Sequence, residues 1–253
     1  MAPVDDSMPR IAGEGEHEAA WRASSWLGRL PEQSPAQLLH GSRRLVLLSP
    51  HPDDETLACA GLLHAAGQAG LAVHLLAVTD GEACYPGDAH WTPSRLREQR
   101  PREVERALDE LGVQARVQRL GLGDGAVTAS AAELEAALRA LLQPGDLLVA
   151  PWEQDGHPDH DASGRAALAA AGGADIRLLR YPVWAWHWLA PDAAQPPFQA
   201  VRMPLPPEAV ARKQRAIACF ESQLGTSLPP APAPVLPPHV VERFHRPYEV
   251  YLP

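Results

Sequence analysis

Cysteine is scarce in this chain. Cys59, Cys84 and Cys219 are the only three among 253 residues, and their spacing fits neither a thiolate metal site nor a disulfide framework. Reduced thiols in the cytoplasm are therefore expected. Basic runs are missing as well: 22 Lys and Arg stand against 31 Asp and Glu, a formal net charge of −9. That balance disfavours binding to a nucleic-acid backbone or an anionic membrane surface. No apolar stretch reaches the roughly 18 residues that span a bilayer, so membrane insertion is not expected. Residues 1–20 are acidic and lack the basic start and apolar run of a secretory signal. No Gly-x-Gly-x-x-Gly follows the first apolar run, which argues against a nucleotide-binding oxidoreductase. No internal repeat is visible beyond one short motif pair.

What is present describes a folded globular protein, with 45% hydrophobic and 21% charged residues. Short, continuously apolar runs alternate with helical patterns. Strands are expected at 45–48, 71–79, 116–120, 146–150 and 176–183. Helices are expected at 56–69, Pro93–Leu111, 131–142 and 162–171. Repeated strand–loop–helix units with doubly buried strands predict an α/β fold, a Rossmann-like, mostly parallel sheet flanked by helices on both faces. A Pro-rich C-terminal extension follows. Residues 1–40 read as an N-terminal docking segment with a short helix around Trp21, Trp26 and Leu27. Residues 41–190 form the core and 191–253 a cover packed on the same domain. That cover holds one helix over 207–224 and a final strand over 248–252.

Two stretches look like copies of one another: Ser49-Pro50-His51-Pro52-Asp53-Asp54-Glu55 and Gly156-His157-Pro158-Asp159-His160-Asp161. Each sits just after a predicted strand, at the sheet end where ligands bind in such folds. His51 and Asp54 are three residues apart, as are His157 and His160, so each pair shares one side of a helical turn. Pro at the second position suits that turn, where no N–H is needed.

His51, Asp54 and His160 make a ligand set of two imidazoles and one carboxylate with room for water, and Zn2+ is the first expectation. Fe2+ or Co2+ would accept the same donors. Asp53 is the candidate general base, His157 the group that polarises a carbonyl or protonates a leaving amine, and Asp159 a carboxylate that orients His157 or a ligand. Glu55 is either a further support or a helix-start carboxylate.

The two motifs resemble the paired signatures of the PIG-L/LmbE-like deacetylases. The likeness extends over roughly 43–185 through Thr79-Asp80-Gly81-Glu82, Arg100 with Glu103, and the loop Leu120 to Gly125. It implies a zinc-dependent hydrolase that removes acetyl from an N-acetylglucosamine-type amino-sugar conjugate. The same ligand, base and acid residues follow from it, and it implies that Glu82, Arg100 and Asp124 face the substrate. Two other readings stay open, an amidase acting on a non-sugar N-acyl amine and a non-catalytic carbohydrate-binding protein.

Four of the seven tryptophans, Trp152, Trp184, Trp186 and Trp188, follow predicted strands. Trp152 is the better candidate for stacking on a sugar. The other three would share one side if their segment is extended, and packing is favoured slightly for them. Cys84 is read as inert.

Overall fold

The structure is a computed structural model, and it describes residues 11–172, 175–191, 198–227 and 233–253. The chain enters through three short helices, α1 (Glu18–Ala23), α2 (Ser25–Gly28) and α3 (Pro35–Leu39). It then alternates β1 (Arg44–Ser49), α4 (Asp54–Gln68), β2 (Ala72–Ala77), α5 (Pro93–Leu111), β3 (Ala115–Arg119), α6 (Ala131–Leu141), β4 (Asp146–Pro151), α7 (Pro158–Ala171) and β5 (Arg177–Tyr181). The remainder holds α8 (Ala185–Trp188), β6 (Val201–Pro204), α9 (Pro207–Ile217), α10 (Glu221–Leu224), α11 (Pro238–Val241) and β7 (Tyr248–Tyr251).

The five core strands are all parallel, in the order β3-β2-β1-β4-β5. This is the α/β architecture expected from the alternating pattern. β1 shows why its run is continuously apolar. Leu45 and Leu47 pack into the layer formed with α4 and α5, whereas Val46 and Leu48 pack against α6 and α7. Successive side chains point to opposite faces, so a strand covered on both sides must be apolar throughout.

The strand order reverses between β1 and β4, which lie side by side with Leu47 opposite Val149. Both His-Pro-Asp loops leave these two strands at their carboxyl ends. The topological switch point therefore brings together motifs separated by a hundred residues of chain.

The C-terminal residues clamp α4. β6 and β7 pair antiparallel, and Leu252 bridges to Arg180 of β5. The buried carboxylate of Glu249 on β7 accepts hydrogen bonds from Gly61 N (2.8 Å) and Leu62 N (3.1 Å) within α4. Its counter-charge is Lys213 of α9, 2.9 Å away. Paired and fully hydrogen-bonded, the carboxylate can be held away from water.

Two sequence expectations change here. The segment from Trp184 to Trp188 is helical in α8 and not extended, so its three indoles do not share a side. Trp186 packs edge-on to Trp21, while Trp188 stacks on Trp152. The helix expected over 207–224 is two helices, interrupted at 218–220, and the turn sets α10 against α5, where Ser222 donates to Glu103. The Pro-rich stretches lie partly outside the described residues, at 192–197 and 228–232. No helix among the described residues is long and apolar enough to cross a membrane.

Candidate active site

At the carboxyl ends of β1 and β4 a cavity of about 310 Å³ opens between the sheet and the C-terminal residues. Its polar floor is made by the two motif loops. Asp54 opens α4, and its Oδ2 accepts from His51 N at 2.9 Å. The same oxygen lies 3.1 Å from His160 Nε2 and 3.4 Å from His51 Nδ1. These two imidazole nitrogens are 3.2 Å apart. Three donor atoms thus converge on one point, each nearly or fully buried.

The far side of each imidazole is held by carboxylates. His51 Nε2 is 3.2 Å from both Asp124 Oδ1 and Asp159 Oδ2. His160 Nδ1 is 2.9 Å from Asp155 Oδ2. Carboxylates there keep the hydrogens on the far nitrogens and turn the lone pairs inward. Asp159 is itself fastened by Gly125 N (2.8 Å) and Val127 N (3.1 Å), and Asp155 by the backbone N–H groups of Val183, Trp184 and Ala185. The Asp159 carboxylate thus lies against His51, while its backbone N–H lies against the ring of His157.

The donor set fits a divalent cation. Burial alone would lower the His51 and His160 pKa values, but the surrounding carboxylates more than reverse this. His51 is held well above the usual range, and His160 is raised to about 9. Asp54 also meets a burial penalty, which the two imidazoles outweigh, holding it well below the ordinary carboxylate range. Without a metal, protons on the imidazoles balance the buried acids. A cation bound to the three inward atoms would do the same with better geometry. His157 lies close enough to His51 and His160 to share in such a group.

Asp53 stands beside this cluster in an unusual backbone. Its φ of 145° is the one positive value of a non-glycine residue among the described residues. Such a conformation costs on the order of 1–3 kcal/mol and persists only where neighbours enforce it. Glu55, fully buried, does so by accepting from Asp53 N (3.2 Å) while Ser49 Oγ donates to it at 2.8 Å. Glu55 is therefore a brace for the loop. Arg100 holds the other side, donating to Pro52 O (2.7 Å), Gly81 O (2.9 Å) and Asp53 Oδ2 (2.9 Å). Burial pushes the Asp53 carboxyl up to about 8, even against the nearby Arg100 charge.

Gly81 explains why Arg100 can reach so far. Its φ is +61°, and a Cβ there would overlap the guanidinium. Gly81→Ala is therefore expected to displace Arg100 from Asp53 and cut turnover about 10²-fold, with metal content unchanged. Unaltered turnover would show that Asp53 does not depend on Arg100.

His157 caps α7, and its Nδ1 accepts from Asp159 N at 3.2 Å. The ring hydrogen must then sit on Nε2. Burial, together with the neighbouring His51 and His160 charges, lowers its pKa to about 3. It is a neutral donor. α7 can press this close because Gly164 abuts the backbone of Glu153 at 2.6 Å from where a Cβ would lie.

The remaining sequence candidates divide. Asp124 lines the cavity, with its pKa brought down to about 2: burial raises it, but the bond from His51 outweighs that. Arg100 lines it too. Glu82 is nearly buried and engaged by Arg97 at 3.0 Å, and it does not line the cavity. Trp152 requires correction as a substrate contact. It is 2% exposed and packed on Trp188 and Phe198, because its side chain turns under the sheet end into the core. Trp184 is the cavity's tryptophan, stacked on His157 with ring centroids 6.1 Å apart. Asp155 and Gln223 join the site without a mark in the motifs: the first lies in the loop just before Gly156, and the second lies far down the chain.

This arrangement, with a three-donor cation site, a buried basic carboxylate and a neutral imidazole donor in one cavity at a switch point, is that of a metal-assisted hydrolase site. The family model PIG-L, described as GlcNAc-PI de-N-acetylase, matches residues 46–171, and the chain belongs to this family. Over 90 residues it is 36% identical to a 1D-myo-inositol 2-acetamido-2-deoxy-alpha-D-glucopyranoside deacetylase of Kineococcus radiotolerans, covering 32% of this chain and 25% of that protein. Over 172 residues it is 30% identical to a 2'-N-acetylparomamine deacetylase of Streptomyces fradiae, covering 61% and 60%. The chain thus spans less than two thirds of the length of these curated relatives. In fold it resembles the antimicrobial A40926 pseudoaglycone deacetylase, with a TM-score of 0.59, 24% identity, and 83% and 96% of the two chains covered.

Proposed function

We propose that this protein is a zinc-dependent N-deacetylase that hydrolyses the acetamide of an N-acetylglucosamine-type amino-sugar conjugate. The observation that carries this reading is Asp53, a buried carboxyl held at a positive φ by Glu55 and Arg100, beside the three convergent donors His51, Asp54 and His160. A binding protein would have no use for a strained, basic carboxylate in that position. Two matched relatives are named for removing acetyl groups from amino sugars, which supports the substrate class.

His51 Nδ1, Asp54 Oδ2 and His160 Nε2 would hold the cation. When bound, it supplies Lewis acidity, lowering the pKa of water and polarising an amide carbonyl. Arg100 occupies Asp53 Oδ2, which leaves Oδ1 to take a proton from the attacking water. His157 Nε2–H points its donor at the carbonyl oxygen as charge develops there. Because His157 is held neutral, the proton delivered to the departing amine comes from Asp53, which thereby regains its starting state. The indole of Trp184 offers a flat wall to a sugar ring, and the cavity volume suits a monosaccharide unit. Three free thiols fit a reducing cytoplasm.

The test is release of primary amine from a panel of N-acetylglucosaminyl compounds, with zinc-loaded protein and with chelator. Chelator-sensitive release is expected. Release only from non-sugar N-acyl amines would transfer the protein to a different amidase class, and none at all would refute the hydrolytic reading.

A further inference from the structure

One wall of the cavity is built by residues beyond the family-matched stretch. α10 brings Gln223 into it, with Val235 and Leu236 alongside. Gln223 is fully buried, yet its Oε1 has no hydrogen-bond partner among the described residues. A buried acceptor left unpaired is costly, so it calls for a physical reason.

Its neighbours determine which way the amide points. Glu103, buried on α5, accepts from Ser222 N at 3.0 Å and from Ser222 Oγ at 2.7 Å. A carboxylate has no hydrogen to give, so the Ser222 hydroxyl hydrogen is committed to Glu103. Ser222 Oγ is then an acceptor, and Gln223 Nε2 donates to it at 2.9 Å. Cys84 Sγ lies 3.7 Å from the same nitrogen. Exchanging the amide atoms would set Oε1 against an oxygen with no hydrogen left to offer. The backbone is pinned on both sides. Tyr85 donates its hydroxyl to Ser222 O at 2.7 Å, and Leu236 N donates to Gln223 O at 3.0 Å.

Arg100, which lines the same cavity, has an Nε–H without a partner among the described residues. An unpaired acceptor calls for a ligand group with a hydrogen to give. A sugar offers hydroxyls for this, whereas a carboxylate only accepts.

We propose that Gln223 is a specificity-determining residue whose Oε1 accepts a hydrogen bond from one hydroxyl of the substrate. This rests on the amino-sugar reading above and narrows it to conjugates that carry a free hydroxyl at that position. The wall that reads it comes from this chain's C-terminal part, so selectivity is set apart from the metal site.

The test compares an N-acetylglucosaminide with its set of monodeoxy analogues on wild type, Gln223→Leu and Gln223→Met, following hydrolysis and calorimetric binding in parallel. The leucine variant is expected to lower kcat/KM for the parent compound about tenfold or more, chiefly through KM. One deoxy analogue should lose the same factor on wild type and suffer no further loss on the variant. Gln223→Met keeps the length without the amide acceptor and should lose the preference for the hydroxylated parent in the same way. If the leucine variant does not fold, the deoxy series on wild type and on Gln223→Met decides. Equal loss across every analogue, or no loss, overturns the proposal. Hydroxyl-dependent binding that Gln223→Leu abolishes, without hydrolysis, supports this proposal and refutes the deacetylase reading. No binding of any sugar by wild type overturns both.

Discussion

Asp53→Asn is expected to retain its full complement of metal and to lose turnover by roughly 10²–10⁴-fold, the range for removal of a general base. Asparagine is the informative replacement for two reasons. Its amide oxygen can still accept from Arg100, whereas alanine would leave that N–H of the buried guanidinium with no acceptor. Asparagine also tolerates positive φ better than most residues, which matters at a φ of 145°. The variant thus removes the basicity and the charge while keeping the size and the hydrogen bond of the side chain. Metal analysis alongside amine release separates the outcomes. Near-full turnover would remove Asp53 from the role of base, and loss of metal would make it part of the ligand support.

His160→Ala is expected to abolish stable metal binding and activity together. The residue is fully buried between Asp54 Oδ2 at 3.1 Å and Asp155 Oδ2 at 2.9 Å. Its removal deletes a donor and also leaves two buried carboxylates without the imidazole between them. The loss of affinity should exceed the roughly 10–100-fold typical of an outer partner, which is the size expected for Asp155→Asn. Metal stoichiometry after dialysis, read for both variants, checks the ordering. A His160→Ala protein that retains metal as firmly as Asp155→Asn would place the cation elsewhere, for instance on the group of His51, Asp124 and Asp159.

The alternating architecture is legible from residue types alone, because strands covered on both faces must be continuously apolar, as 45–48 is. So is the span of α5, which runs from Pro93 to Leu111 before the left-handed Gly112 ends it. Both His-Pro-Asp motifs were legible because their ligands lie one turn apart, a distance that local helical geometry controls. Whatever depends on separate segments meeting was not legible. Asp155 acts through three N–H groups about thirty residues onward, and Glu249 grips α4 from the far end of the chain. Trp152 and Trp184 exchange their expected places because α8 turns where an extended segment was foreseen. Gln223 reaches the cavity only because the helix over 207–224 breaks before Phe220. Local chemistry is written in residue types and short spacings. The choice of which wall faces the substrate is made by tertiary packing, which sequence spacing does not encode.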